Sequence, residues 1–226
     1  MEILLEDKDL IAVYKRAGEP TQTKRLGEQD IVSLVKNHIK EKEKKDNPYV
    51  AVINRLDQPV EGIVLLAKNK DAAAKLSAGL QNGDIKKYYY ATVYGQMKED
   101  KGTLTHFLKK DGKTNLSSVV SENDPEAKKA ILHYEVVRDH AHSQLVRIEL
   151  VTGRHHQIRV QFSTEGNPLL GDKKYGTAES IKLGKQEGFM NPALCAYQLM
   201  FTHPKSKKEC VVEVNGEQKR NCLWIM

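Results

Sequence analysis

The chain has 226 residues, 39% of them apolar and 29% charged, the composition of a globular protein long enough to bury a sizeable core and too apolar to be disordered. No apolar run approaches a membrane span, and the acidic start with Glu2, Glu6 and Asp7 lacks the order of a secretory signal, so a cytoplasmic protein without membrane contact is expected. Lys and Arg exceed Asp and Glu by 36 to 30, a net charge of +6, which favours approach to a polyanion without identifying one.

In chain order, residues 3–14 read as two short strands around Glu6–Asp9, a pattern of half-buried edge structure. Ile31, Leu34, Val35 and Ile39 fall on one face of a helix capped by Asp30, and its lysine-rich end, Lys40 to Lys45, reads as a solvated face. Tyr49–Ile53 is strand-like, 54–62 is a polar turn with Pro59 and Gly62, and Ile63–Ala67 is a continuous apolar strand. Asp71 to Gln81 forms a second helix that stops near Gly83. Lys86 to Gly95 alternates, with Tyr89, Ala91 and Val93 on one face and Tyr88, Tyr90, Thr92 and Tyr94 on the other. The polar stretch 98–129 reads as a long surface loop or hairpin insertion. Ala130–Val137 and Gln144–Val151 suggest an antiparallel pair, and Thr152 is placed to cap a helix from about Arg154 to Glu165, ended by Gly166 and Pro168. Two strands separated by a His203–Pro204 turn fill Leu194 to Val214. Without a repeat or a linker, one mixed α+β domain over residues 1–226 is the economical reading.

Two segments concentrate chemistry. The turn Asn54-Arg55-Leu56-Asp57-Gln58-Pro59-Val60-Glu61-Gly62 sets two carboxylates and an arginine beside a buried strand, where charge is costly unless used or paired. Taken alone, a salt bridge from Arg55 to Asp57 or Glu61 explains it. The second segment, Leu150 to Arg159, runs from a strand into a helix start dense with donors, with His155 and Arg159 one turn apart on the expected helix. Adjacent His155 and His156 point apart on a helix and make poor shared metal ligands, so no metal site is expected. The odd set Cys195, Cys210 and Cys222, without CxxC spacing, supports neither a disulfide framework nor a zinc ribbon. Gly166 to Asp172 mimics a phosphate-binding loop but has Asp where lysine must follow, and Ser163 with His155 lacks the elbow of a hydrolase nucleophile.

Together, RLDQPVEGIVLLAK, KYYYATVYG and TGRHHQIRVQFSTEGNPLLGDKKYG resemble the three successive motifs of RluA-type pseudouridine synthases, in order and spacing. ILLEDKDLIAVYKRAG, KKAILHYEVV and LCAYQLMFTHP extend the resemblance over nearly the whole chain. It implies a single catalytic domain with a mixed, largely antiparallel sheet, flanking helices and a central cleft. It makes Asp57 the catalytic aspartate, Tyr89 the tyrosine of the KxY motif and Arg159 the second arginine of the GRxHQIR-like segment, the three converging in the cleft. The aspartate would attack the ribose or remove a ribose proton of a flipped-out uridine, and the released uracil would rejoin through carbon, with no cofactor. A neighbouring Arg159 would favour the ionised form of Asp57, and Tyr89 would stack on the base or help remove its proton. Arg55 resembles the arginine that fills the space left by the flipped base, and Arg154, His156 and Gln157 are further candidates for contacts to substrate phosphate or for organising the site.

The chain departs from the family pattern at Asn54, commonly His, and at Val60-Glu61, commonly Thr-Ser; Glu61 adds a negative charge beside the expected nucleophile. It begins directly at the catalytic motifs, so no separate N-terminal RNA-binding module is expected. The expected partner is a ribosomal or transfer RNA acting as substrate, met by a monomer. A non-catalytic RNA-binding protein on the same fold is the alternative. A glycosidase-like pair of Asp57 and Glu61 would need a defined separation across one sugar, which a turn seldom provides.

Overall fold

In the computed structural model the described residues are 1–23, 25 and 27–214, so the position of Cys222 lies outside them. In chain order the elements are β1 (Glu2–Glu6), β2 (Leu10–Lys15), α1 (Ile31–Glu43), β3 (Ala51–Val52), β4 (Glu61–Ala67), α2 (Lys70–Asn82), β5 (Lys86–Tyr94), β6 (Lys101–Asp111), β7 (Leu116–Val119), β8 (Lys128–Asp139), β9 (Ser143–Leu150), α3 (Gln157–Thr164), α4 (Ala178–Gln186), β10 (Leu194–Thr202) and β11 (Glu209–Glu213). The backbone divides into two compact units, Met1–Lys86 with the described residues from Ala196 onward, and Lys87–Cys195. No helix among the described residues is long and apolar enough to cross a membrane.

In the first unit the strands run in the order β1-β2-β4-β10, with β3 on β4 and β11 on β10. Antiparallel pairing of β2 to both β1 and β4 makes it an interior strand, and all six of its residues are buried. The edge expected for this segment is therefore β1 alone. Asp30 caps α1 by accepting from the Ser33 N–H at 2.7 Å, and Asn69 caps α2 by accepting from the Ala72 N–H at 2.9 Å. The buried positions of α1 are Ile31, Val35 and Ile39, the stripe read from the sequence. The turn between β10 and β11 is locked by His203: its Nδ1 accepts from the N–H groups of Lys205 (3.1 Å) and Ser206 (3.0 Å), which leaves Nε2 to donate to Asp7 at 2.7 Å.

In the second unit β5, β9, β8, β6 and β7 form one antiparallel run. Tyr89, Ala91 and Val93 are buried on one face of β5, as their alternation requires. Of the two readings of residues 98–129, loop or hairpin insertion, the hairpin holds: β6 and β7 pair and extend the sheet from β8. Only Leu104 and Leu108 among the residues of β6 are buried, so the apolar half of its period is diluted by a solvated outer face. α3 starts later than expected. His156 adopts φ 54°, ψ 21°, a left-handed conformation that no helix continues through, so Arg154 and His155 precede the helix. Thr152 ties this turn to β8 instead of capping α3: its Oγ accepts from the Ile131 N–H at 2.8 Å and donates to Gln157 Oε1 at 2.7 Å. Ile158 and Phe162 seat α3 on the core, Phe162 meeting Tyr134 edge-on at 5.9 Å between ring centroids. α4, closed by a capping box of Thr177 and Ser180, was not anticipated.

Glu6 shows how the first unit joins α1 to its sheet. Its carboxylate accepts from Lys42 (2.8 Å) and Lys68 (3.0 Å) and lies 3.0 Å from His38. Burial alone would raise its pKa, but the hydrogen bonds from Lys42, His38 and Lys68 outweigh that and hold it at about 2. A depressed carboxylate contributes stability that is complete above the unfolded pKa and lost as pH falls through the folded one. Glu6→Gln is expected to cost about 1.5–3 kcal/mol at pH 7, and its deficit relative to wild type should shrink between pH 4.5 and pH 2 in urea denaturation.

Candidate active site

The turn carrying Asp57 is held from below by a buried cation. Lys15 is fully buried at the end of β2, opposite Gly62 of β4. Its ammonium donates to the carbonyls of Glu19 (2.7 Å), Gln58 (2.9 Å) and Arg16 (3.1 Å), which uses all three of its protons. The Gln58 carbonyl also accepts from the Gly18 N–H at 2.8 Å, and the Gln58 side chain returns a bond to Gly18 O at 3.0 Å. Within the turn, the Val60 N–H donates to Asp57 O at 3.0 Å, and Thr21 Oγ donates to Leu56 O at 2.9 Å. Asp57 itself is half-buried. Burial lowers the Lys15 pKa to about 8, against the opposing pull of the negative charges of Glu19, Asp57 and Glu61.

The departures from the family pattern have local explanations. Asn54 is buried and acts as a strand partner, its amide donating to Ile63 O at 2.9 Å and its carbonyl oxygen accepting from the Leu65 N–H at 2.7 Å. Glu61 accepts from the hydroxyl of buried Tyr14 at 2.8 Å. Gly62 has φ 125°, and a Cβ there would lie 2.4 Å from Ala196 O, so no other residue fits. Arg55 is exposed and in no ion pair among the described residues. The salt-bridged account of the turn is therefore replaced by one in which Lys15, Tyr14 and Asn54 organise it.

In the second unit Tyr89 is buried on β5 opposite Ile148 of β9. Tyr88 and Tyr90 are half-buried on the other face, beside Glu149 and Arg147. Arg159, buried on α3, forms a two-pronged ion pair with Asp172, Nε to Oδ2 and Nη2 to Oδ1, each 2.7 Å. Its guanidinium carbon stands 5.1 Å from the centre of the Tyr175 ring, within cation–π range. The two histidines do not point apart, because neither lies within the helix: their rings stack at 3.7 Å. His155 Nδ1 meets Ser117 Oγ at 2.9 Å and His156 Nδ1 meets the Tyr175 hydroxyl at 2.6 Å. Gln157 is spent on structure, accepting from the Arg154 N–H (3.0 Å) and donating to Ile131 O (3.1 Å). Arg154 is exposed, with Nε donating to Lys129 O at 3.0 Å. Ser163 donates to Tyr175 O at 2.7 Å.

Lys15 and Tyr175 were not singled out from the sequence, and Asp172 was named there only as the residue that spoils a phosphate-binding loop. Lys15 closes the otherwise apolar strand Leu10–Lys15, and Asp172 follows Leu169-Leu170-Gly171; a charge adjoining an apolar run is the signal that would have found both.

This strand order and these turns define the α+β fold of pseudouridine synthases. The human RNA pseudouridylate synthase domain containing 4 superposes with a TM-score of 0.77 at 22% identity, over 99% of this chain and 93% of that one. The human domain containing 1 protein gives 0.74 at 20% identity, over 95% and 83%. The sequence matches the family described as RNA pseudouridylate synthase over residues 9–164, and the chain belongs to that family. Among relatives, an uncharacterised RNA pseudouridine synthase of Mycoplasma genitalium is 31% identical over 92% of this chain and 64% of its own length. One from Bacillus subtilis is 31% identical over 94% and 68%, and the dual-specificity RNA pseudouridine synthase of Vibrio parahaemolyticus is 30% identical over 91% and 79%. The chain thus spans about two thirds of the length of the first two.

The Lys15 arrangement is testable. Lys15→Met takes a donor from three carbonyls, of which those of Arg16 and Gln58 keep a backbone N–H, and is expected to destabilise the protein by about 2–4 kcal/mol at pH 7. Between pH 8 and 10.5 the unfolded lysine holds a proton that the folded one has lost, so wild-type stability from this group rises with pH. The gap between wild type and variant in urea denaturation should therefore widen over that interval.

Proposed function

We propose that the protein is an RNA pseudouridine synthase that isomerises uridine in ribosomal or transfer RNA, with Asp57 as nucleophile or base. The observation that carries the reading is the Asp57 turn. A half-buried carboxylate sits on a segment whose flanking groups Leu56, Gln58 and Val60 are each hydrogen-bonded in place, at the aspartate of the family's motif. Such fixing is what a carboxylate needs to meet a sugar carbon without reorganising.

In this reading the target uridine is extruded from the RNA at a cost of about a few kcal/mol, less in loops and single strands. Asp57 attacks the ribose C1′ or removes a ribose proton, and the N1–C1′ bond breaks. The uracil turns within the site and C5 bonds to C1′, which breaks the Asp57–C1′ bond of the first route or is followed by return of the ribose proton in the second; the C5 proton leaves and N1 gains one. Atoms balance with no co-reactant. Tyr89 supplies a flat ring for the base and a hydroxyl for the C5 proton. Arg159 supplies a fixed positive charge to the reaction, and exposed Arg55 fills the gap in the RNA stack. Arg154, with the basic surface, meets phosphate, whereas His156 and Gln157 organise the turn before α3. The protein is proposed to work as a cytoplasmic monomer.

The test is tritium release from [5-³H]uridine-labelled ribosomal and transfer RNA that lacks pseudouridine. Wild type is expected to release tritium from one of the two pools, with Asp57→Asn slower by on the order of 1,000-fold or more. No release from either pool, with RNA binding intact in wild type and Asp57→Asn alike, would establish the non-catalytic binding protein instead.

A further inference from the structure

Asp172 is a fully buried carboxylate to which the reaction above gives no part. The segment that carries it is pinned by two glycines. A Cβ on Gly171, which has φ 71°, would lie 2.4 Å from Asn191 O, and one on Gly176 would lie 2.4 Å from Asp172 O. Backbone this close-packed has one arrangement, so the carboxylate is presented in one place. Its Oδ1 accepts from the Lys174 N–H at 3.0 Å in addition to Arg159 Nη2 at 2.7 Å, and Oδ2 accepts from Arg159 Nε at 2.7 Å. Tyr175 lies against the guanidinium and is itself anchored, its backbone N–H donating to Asp172 Oδ1 at 3.3 Å. Its hydroxyl accepts from the Ser117 N–H at 2.8 Å and bonds His156 Nδ1 at 2.6 Å, and its carbonyl accepts from Ser163 Oγ at 2.7 Å.

We infer that Asp172 is a positioning residue for Arg159, and that Tyr175 is the plate on which the guanidinium is held. The inference rests on the reading of Arg159 as a catalytic residue. A two-pronged carboxylate fixes both the plane and the rotation of a guanidinium. With the Nε–Nη2 edge on Asp172, the direction of Nη1 is set by the protein and not by the substrate. Burial strengthens the effect, because the pair has little competition from water. Ser117, at the start of the β6–β7 hairpin's return strand, reaches the same tyrosine, so the hairpin braces the support of Arg159.

Asp172→Asn keeps the shape and removes the charge that holds the fork. It is expected to lower kcat for tritium release about 100-fold while KM stays within about threefold. Placed in the Arg159→Ala background the same substitution should lower kcat no further, because its effect passes through Arg159. Wild-type kcat in Asp172→Asn, or an equal loss in both backgrounds, would overturn the inference. Should Asp172→Asn fail to fold, Tyr175→Leu leaves both charges in place and carries the same two-background test, with an expected fall of about 3- to 30-fold; wild-type kcat there would overturn it. If the wild type releases no tritium, the reading of the activity fails by itself. The positioning is then decided by the Arg159 side-chain ¹⁵Nε–H resonance, slow to exchange in wild type and joining the solvent-exposed arginines in Asp172→Asn. An unchanged resonance in the variant would count against it.

Discussion

A charge taken out of water has to be answered by protein atoms, and the buried Arg159–Asp172 pair with the buried Lys15 ammonium shows what that constraint builds. Removing one partner of a buried ion pair costs about 3–5 kcal/mol, so α3, which carries Arg159, and the segment around Gly171 and Gly176, which carries Asp172, are held to a single relation. In the other unit, the three carbonyls of Arg16, Glu19 and Gln58 around Lys15 impose the same condition on the loop after β2 and on the turn after β3. Each arrangement stabilises little beyond its own cost of desolvation. What each achieves is specificity of place for the groups beside it.

That specificity is what the proposed chemistry asks for. Isomerisation of uridine breaks one bond to the sugar and makes another with the same base, so the groups involved act by position and charge. Asp57 is offered on a turn whose neighbours are each tied down, and Tyr89 is buried on a strand paired with β9. Arg159 comes from a helix seated on the core by Ile158 and Phe162, with its guanidinium against Tyr175. Side chains held in this way pay little reorganisation when a substrate arrives.

The sequence made much of this legible, and its failures have physical causes. The strands from Tyr49 to Ala67, the paired faces of β5, the β8–β9 pair and the caps Asp30 and Gly83 follow from periodicity and cap chemistry alone. The interior position of β2 did not, because burial on both faces is a property of which strands pair with it. Residues 98–129 stayed open between loop and hairpin because only Leu104 and Leu108 mark the inner face of β6. The start of α3 was misplaced because Thr152 reads as a cap, while the left-handed backbone of His156 is a conformation that few non-glycine residues adopt. The catalytic candidates were found through the motif resemblance; the residues that hold them, Lys15, Asn54, Asp172 and Tyr175, act through contacts 9 to 58 positions away or through backbone carbonyls, which no local pattern encodes.

The central claim is that the base is moved and kept, and chromatography of the nucleosides and bases after incubation of uridine-containing RNA with the protein tests it most directly. The account predicts a new C-nucleoside with the mass of uridine, formed at the expense of uridine and with no uracil in solution. Uracil released into solution would instead identify a glycosidic hydrolase, and that result would contradict the account.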